Sequence, residues 1–83
     1  MLIIYGSRLC KDCIACLQDF DRAGVTYEYR DFSESLAALK EFLAIRDKNS
    51  EFENCKEEGM IGIPCIITEV GRITLDWQEF IDM

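Results

Sequence analysis

Residues 2–5 (Leu2, Ile3, Ile4, Tyr5) form an unbroken apolar run, Gly6 and Ser7 interrupt it, and a helical period starts at Cys10. So short a run, apolar at every position, suits a strand covered on both faces, which is a central strand between layers of helix. Cys13, Cys16, Leu17 and Phe20 then recur on one helical face, with Lys11, Gln18, Asp19 and Arg22 mostly elsewhere on the circumference. Gly24 stands where a helix C-terminal cap belongs. A buried strand turning directly into an amphipathic helix predicts an α/β chain.

The pattern continues in the same sense. Val25, Tyr27 and Tyr29 alternate with Thr26, Glu28 and Arg30, a half-buried strand. Ser33 is placed to cap a second helix carrying Leu36, Leu39, Phe42 and Leu43 on one side. Residues 47–59 are polar and acidic, and Ser50 with Glu53 has the spacing of a capping box. Gly59 can end a short helix there that buries Phe52 and Cys55. Residues 63–68 read as a strand opening at Pro64, an allowed position for proline. Val70 and Gly71 make a turn, Ile73, Thr74 and Leu75 a last strand, and Asp76 with Glu79 caps a terminal helix bearing Trp77 and Phe80. The expected order is β-α-β-α-(α)-β-β-α. It predicts a four-stranded mixed sheet flanked by helices, with the first two strands parallel and the last two antiparallel.

Eighty-three residues allow one domain, spanning 1–83. A domain of this size buries only about 60–65% of the surface its unfolded chain exposes. Nine basic and sixteen acidic residues give a formal charge of −7, which repels phosphate backbones and argues against nucleic acid as a partner. The chain has no histidine, which excludes serine–histidine and cysteine–histidine catalysis by this chain alone. The start lacks the basic n-region and long apolar stretch of a signal peptide, and no stretch approaches a membrane span. The expected setting is therefore cytoplasmic and reducing, where structural disulfides are rare. Five cysteines there call for redox chemistry, a metal or plain burial.

Cys10-Lys11-Asp12-Cys13 sits at the strand-to-helix junction. That context makes a bare C-x-x-C fairly specific for dithiol chemistry, because one helical turn brings two sulfurs close enough to cycle between dithiol and disulfide. The first thiol falls at a helix N-terminus with Arg8 and Lys11 nearby, and both settings favour a thiolate. A fall in pKa from about 8.5 to about 7 raises the thiolate fraction at neutral pH roughly sixteenfold. Intrinsic nucleophilicity drops about fivefold, so the net gain in attack is only about threefold. The greater benefit is a better leaving group when Cys13 resolves a mixed disulfide. Asp12 is expected to oppose ionisation at Cys13.

These residues resemble a known family. The segment Tyr5-Gly6-Ser7-Arg8-Leu9-Cys10-Lys11-Asp12-Cys13 after an apolar strand looks like the glutaredoxin active-site segment, and Gly62-Ile63-Pro64-Cys65-Ile66-Ile67 looks like its second hallmark. The resemblance covers roughly residues 1–30 and 60–80, the later part being similar to a glutaredoxin-related bacterial subfamily. It implies a thioredoxin fold and a thiol–disulfide oxidoreductase with Cys10 and Cys13 as catalytic residues. It further implies a cis peptide before Pro64 and a substrate-binding role for Arg8, Ile63 and Pro64, the Ile63 backbone pairing with substrate in a short β-like contact. The implied partners are a disulfide-containing protein or a glutathione mixed disulfide, with glutathione or a reductase as electron donor. No cofactor is expected to bind tightly. The family's glycine pair and aspartate after the last strand, which hold glutathione, are replaced here by Ile73-Thr74-Leu75-Asp76-Trp77, and its lysine three residues before the nucleophile by Ser7.

Cys10, Cys13 and Cys16 also make C-x-x-C-x-x-C, the opening of a bacterial ferredoxin motif, but the fourth cysteine position holds Phe20. Cys16 continues the apolar stripe and is expected to be buried. Cys65 either fills a strand position or completes a metal site, and Cys55 carries no signal. Two rival readings remain: a thiolate module for zinc or an Fe–S cluster, and a thioredoxin-fold interaction protein with vestigial cysteines.

Overall fold

The computed structural model describes residues 1–81. Its order is β1 (Leu2–Gly6), α1 (Lys11–Ala23), β2 (Tyr27–Asp31), α2 (Leu36–Lys48), a 3₁₀ turn (Ser50–Phe52), α3 (Glu53–Glu57), β3 (Cys65–Ile67), β4 (Ile73–Thr74) and a last 3₁₀ turn (Trp77–Phe80). The four strands form one sheet in the order β2-β1-β3-β4. β1 pairs parallel with β2 and antiparallel with β3, and β4 is antiparallel to β3. The mixed sheet and the central place of residues 2–5 are as the sequence predicts.

Side-chain alternation along β1 divides the core into two faces. Ile4 and its partner Ile66 point to the face covered by Cys16 and Phe20 of α1. Tyr5 and its partner Cys65 point to the other, covered by Phe42 of α2 and by Phe52. Both faces of β1 are thus packed, which is why its sequence is apolar without alternation. Phe20, Phe42 and Phe52 are all fully buried, and truncating any of them to alanine carries a cost of about 3–5 kcal/mol. Phe42 meets Phe52 edge-on at 5.9 Å, and Phe20 meets Phe80 edge-on at 6.0 Å. Gly24 closes α1 at φ 74°.

Three local expectations are corrected. The cap of α2 is Ser35, whose hydroxyl accepts from the Ala38 amide at 3.2 Å, and Ser33 lies two residues upstream in a separate network. The buried stripe of α2 is Ala38 and Phe42 with Ile45 half-buried, while Leu36 and Leu43 are exposed. The terminal helix is a single 3₁₀ turn. There Asp76 accepts from the Gln78 amide at 3.0 Å, but Glu79 turns away to pair with Arg72 at 2.6 Å. In the acidic segment Phe52 and Cys55 are buried as expected, though the Ser50 side chain makes no cap. Among the described residues no helix is long and apolar enough to cross a membrane.

Candidate functional site

The loop between β1 and α1 is tied down before it presents a thiol. The Ser7 carbonyl accepts from the Cys10 amide at 3.0 Å, and the Ser7 hydroxyl accepts from the Leu9 amide at 3.1 Å. The same hydroxyl meets the Ser33 hydroxyl at 3.1 Å. Asp31, at the end of β2, accepts from the Arg8 amide at 3.1 Å and from the Ser33 amide at 2.8 Å. Burial pushes the Asp31 carboxyl up, but the Ser33 hydroxyl and amide, the Arg8 amide and the Arg8 charge together hold it below the usual carboxylate range. Asp31 therefore stays ionised and clamps the loop from the neighbouring strand.

Cys10 is the N-cap of α1. Its side chain makes no cap bond, and it is half-exposed. Cys13, one turn on, is only 1% exposed. Burial pushes the Cys13 thiol up to about 12. The Ser7 amide, donating to its sulfur, works in the opposite direction, while a side-chain hydrogen bond with Cys10 and the Cys10 charge add to the rise. Asp12, expected to hold Cys13 protonated, is absent from these causes; burial does that work. The result is one reachable sulfur backed by one sealed sulfur, in hydrogen-bonding contact, with both present as free thiols.

Gly6 makes room for this arrangement. A methyl there would sit 2.8 Å from the Cys13 sulfur and 3.3 Å from the Tyr29 ring and hydroxyl. Tyr29 faces α1 from β2, and its hydroxyl is buried with no hydrogen-bond partner among the described residues. Neither residue was singled out from the sequence. An apolar strand ending in glycine just before a dithiol was the available signal for Gly6, and the Asp31-Phe32-Ser33 spacing, typical of an Asx turn, was the one for the clamp.

A groove of about 650 Å³ opens beside Cys10. Leu9, Phe32, Leu39, Met60, Ile61 and Ile63 supply its apolar walls, and Ser7, Asp12 and Ser33 its polar points. The Met60 and Ile61 carbonyls each accept from the Arg46 guanidinium at 2.8 Å, so this rim is fixed from α2. Gly62 adopts φ 95° and lies so close to Phe52 that a β-carbon would come within 2.7 Å of its ring; no other residue type fits there. The Ile63-Pro64 peptide is cis, as the resemblance implies. Of the residues expected to form the site, Cys10 and Ile63 line the groove together, with Cys13 buried directly behind Cys10. Pro64 is fully buried. Arg8 is not gathered with them: it lines a separate polar hollow of about 470 Å³ with Tyr29, Asp31, Glu34 and Glu41.

The other cysteines are interior. Burial pushes Cys16 up to about 12, with Asp19 adding to the rise, and burial alone does the same to Cys65. Cys55 is also buried. Among the described residues no three cysteine or carboxylate side chains are gathered as a metal cage.

Compared with known proteins, the chain is 35% identical over 77 residues to an uncharacterized protein of Haemophilus influenzae, a match covering 93% of this chain and 90% of that one. The chain belongs to that protein's family. No profile of a described protein family matches it, and no solved structure matches it. The match runs through nearly the whole length, so it spans the strand-to-helix junction and the Pro64 segment.

Proposed function

We propose that this chain is a glutaredoxin-like thiol–disulfide oxidoreductase on a thioredoxin fold, acting in a reducing, cytoplasmic setting. The observation that carries the reading is the asymmetry of the pair: Cys10 half-exposed at the start of α1 and Cys13 sealed behind it within hydrogen-bonding reach. In the reaction, the Cys10 thiolate attacks one sulfur of a substrate disulfide, the substrate S–S bond breaks, and the departing thiolate takes up a proton. Cys13 then loses its proton and attacks the Cys10 sulfur. This forms the Cys10-Cys13 disulfide and releases the second substrate sulfur as a thiolate that is protonated in turn. Two electrons pass from the dithiol to the substrate, and an external thiol reductant, such as glutathione or a dithiol reductase, restores the pair.

The high pKa of Cys13 supports this order of events. While Cys10 is free, its hydrogen bond and its charge both hold the Cys13 proton in place. Once Cys10 is joined to substrate those two influences vanish, and the Ser7 amide favours the Cys13 thiolate against burial, which stays the largest opposing cause. Ionisation of the second thiol is thereby linked to completion of the first step. Ile63, beside Cys10 in the groove, offers its backbone for a β-like contact with an extended substrate.

The direct test is reduction of a protein or glutathione mixed disulfide with the wild-type chain and with Cys10→Ser. The wild type should turn over and Cys10→Ser should not. Full activity in Cys10→Ser would remove the mechanism.

A further inference from the structure

The groove beside Cys10 has a composition that selects among disulfides. Its walls are aliphatic and aromatic, and among the described residues its lining holds a carboxylate, Asp12, and no lysine or arginine. Of the neighbouring cations, Arg8 lines the separate hollow, Arg46 is held by the Met60 and Ile61 carbonyls, and Lys11, next to Cys10, is exposed outside the groove lining. Three apolar side chains at the rim stand out into solvent, with Leu9 87%, Met60 53% and Ile61 54% exposed. Leu9 directly precedes the reachable sulfur. Exposed apolar side chains clustered around a groove mark a surface that gains by being covered, and the pinned rim lowers the cost of ordering it on contact.

Resting on the disulfide-exchange reading above, we infer that the groove takes an extended polypeptide whose cysteine is flanked by apolar side chains, with a basic residue towards Asp12, in preference to an anionic small disulfide. Charge decides against the small disulfide. Each glutathione unit carries two carboxylates and one ammonium. Its net negative charge would enter a lining that offers no guanidinium or ammonium, on a chain of formal charge −7. An apolar segment instead covers Leu9, Met60 and Ile61, and its backbone lies within reach of Ile63. The chemistry is the exchange already written: the substrate disulfide is reduced by two electrons, the Cys10-Cys13 pair is oxidised, and a thiol reductant resets it.

The test measures stopped-flow reduction of three probes by the reduced wild-type chain. These are a peptide disulfide flanked by leucine and isoleucine with one lysine, the same peptide with glutamate flanks, and oxidised glutathione. The apolar probe should react about tenfold faster than the other two, the factor expected from covering one aliphatic side chain. The combined change Met60→Ser with Ile61→Ser should remove that preference. Equal rates for the three probes, a faster reaction with glutathione, or a preference that survives the double change would overturn the inference while leaving disulfide exchange standing. Reduction of none of the probes would overturn the exchange reading and the inference with it. A concentration-dependent dimer, seen by gel filtration and abolished by the double change, would assign the groove to a second copy of the chain and overturn the peptide assignment.

Discussion

Gly6→Ala is the substitution whose effect the structure defines most closely. Gly6 ends the central strand, its carbonyl accepts from the Phe32 amide at 3.0 Å, and its φ is not in the left-handed region. Alanine therefore meets no backbone strain and gains about 0.4–1 kcal/mol through a less disordered unfolded chain. Against that, the added methyl lies 2.8 Å from the Cys13 sulfur, well inside the 3.5–4.0 Å of a comfortable contact. Tyr29, also within 3.3 Å, narrows the room for it to move aside. Overpacking of this kind costs about 1–3 kcal/mol, so the net effect is a loss of about 1–2 kcal/mol, or roughly 5–15 °C in Tm for a domain of this size. The assay is urea denaturation of a double-mutant cycle with Cys13→Ala, which removes the sulfur and leaves space for the methyl. Gly6→Ala should cost at least 1 kcal/mol less in the Cys13→Ala background than in the wild type, roughly the coupling of residues in direct contact. Additivity within about 0.5 kcal/mol would refute the claim that Gly6 exists to seat the Cys13 sulfur.

Two further outcomes follow from buried polar groups. Cys16 and Cys65 hold their protons up to about 12 in the folded chain, against about 8.5 when unfolded, so the unfolded state binds fewer protons across that window and stability falls as pH rises through it. Each thiol accounts for a loss of about 2 kcal/mol between pH 7 and pH 10, and urea titrations should show Cys65→Ala flattening the alkaline fall by that amount; an unchanged fall would show that the Cys65 thiol is accessible to solvent. Tyr29→Phe removes a buried hydroxyl with no partner among the described residues and should raise stability by about 1 kcal/mol, read as a higher Tm, whereas a lower Tm would show that the hydroxyl is satisfied.

The sheet and first helix were legible because their signals are redundant. β1 is apolar at every position, α1 carries three buried residues at helical spacing with a glycine at its end, and the turn at Val70 and Gly71 leaves β3 and β4 no arrangement other than a hairpin. α2 was misread for a physical reason. Leu36, Leu39, Phe42 and Leu43 make an acceptable stripe, and so do Ala38, Phe42 and Ile45; hydrophobicity favours the leucines, but the small Ala38 side chain is the one the fold buries. Ser33 and Ser35 both suit a cap, and Ser33 is engaged by Asp31 two residues before it and by Ser7 across the strand junction, the second a long-range contact that local pattern does not encode. At the site, the dithiol and the Ile63-Pro64 segment were visible as motifs. Arg8 is two residues from Cys10 in sequence, yet the tied loop sends it to a different hollow, a placement that spacing alone does not encode. Gly6, Tyr29 and the apolar groove depend on what neighbouring strands and loops bring together, and only the assembled fold displays them.

The proposed exchange requires that two particular sulfurs of the five, Cys10 and Cys13, pass the electrons. Titration of the chain against glutathione redox buffers, with each cysteine's state mapped by differential alkylation and peptide mass spectrometry, addresses it directly. A single two-electron couple confined to Cys10 and Cys13 is expected, with Cys16, Cys55 and Cys65 remaining thiols throughout. A midpoint of about −200 to −230 mV would match glutaredoxins and one near −270 mV thioredoxin. A chain in which Cys10 and Cys13 never join, or in which the disulfide recruits one of the three interior cysteines, would contradict the proposed exchange.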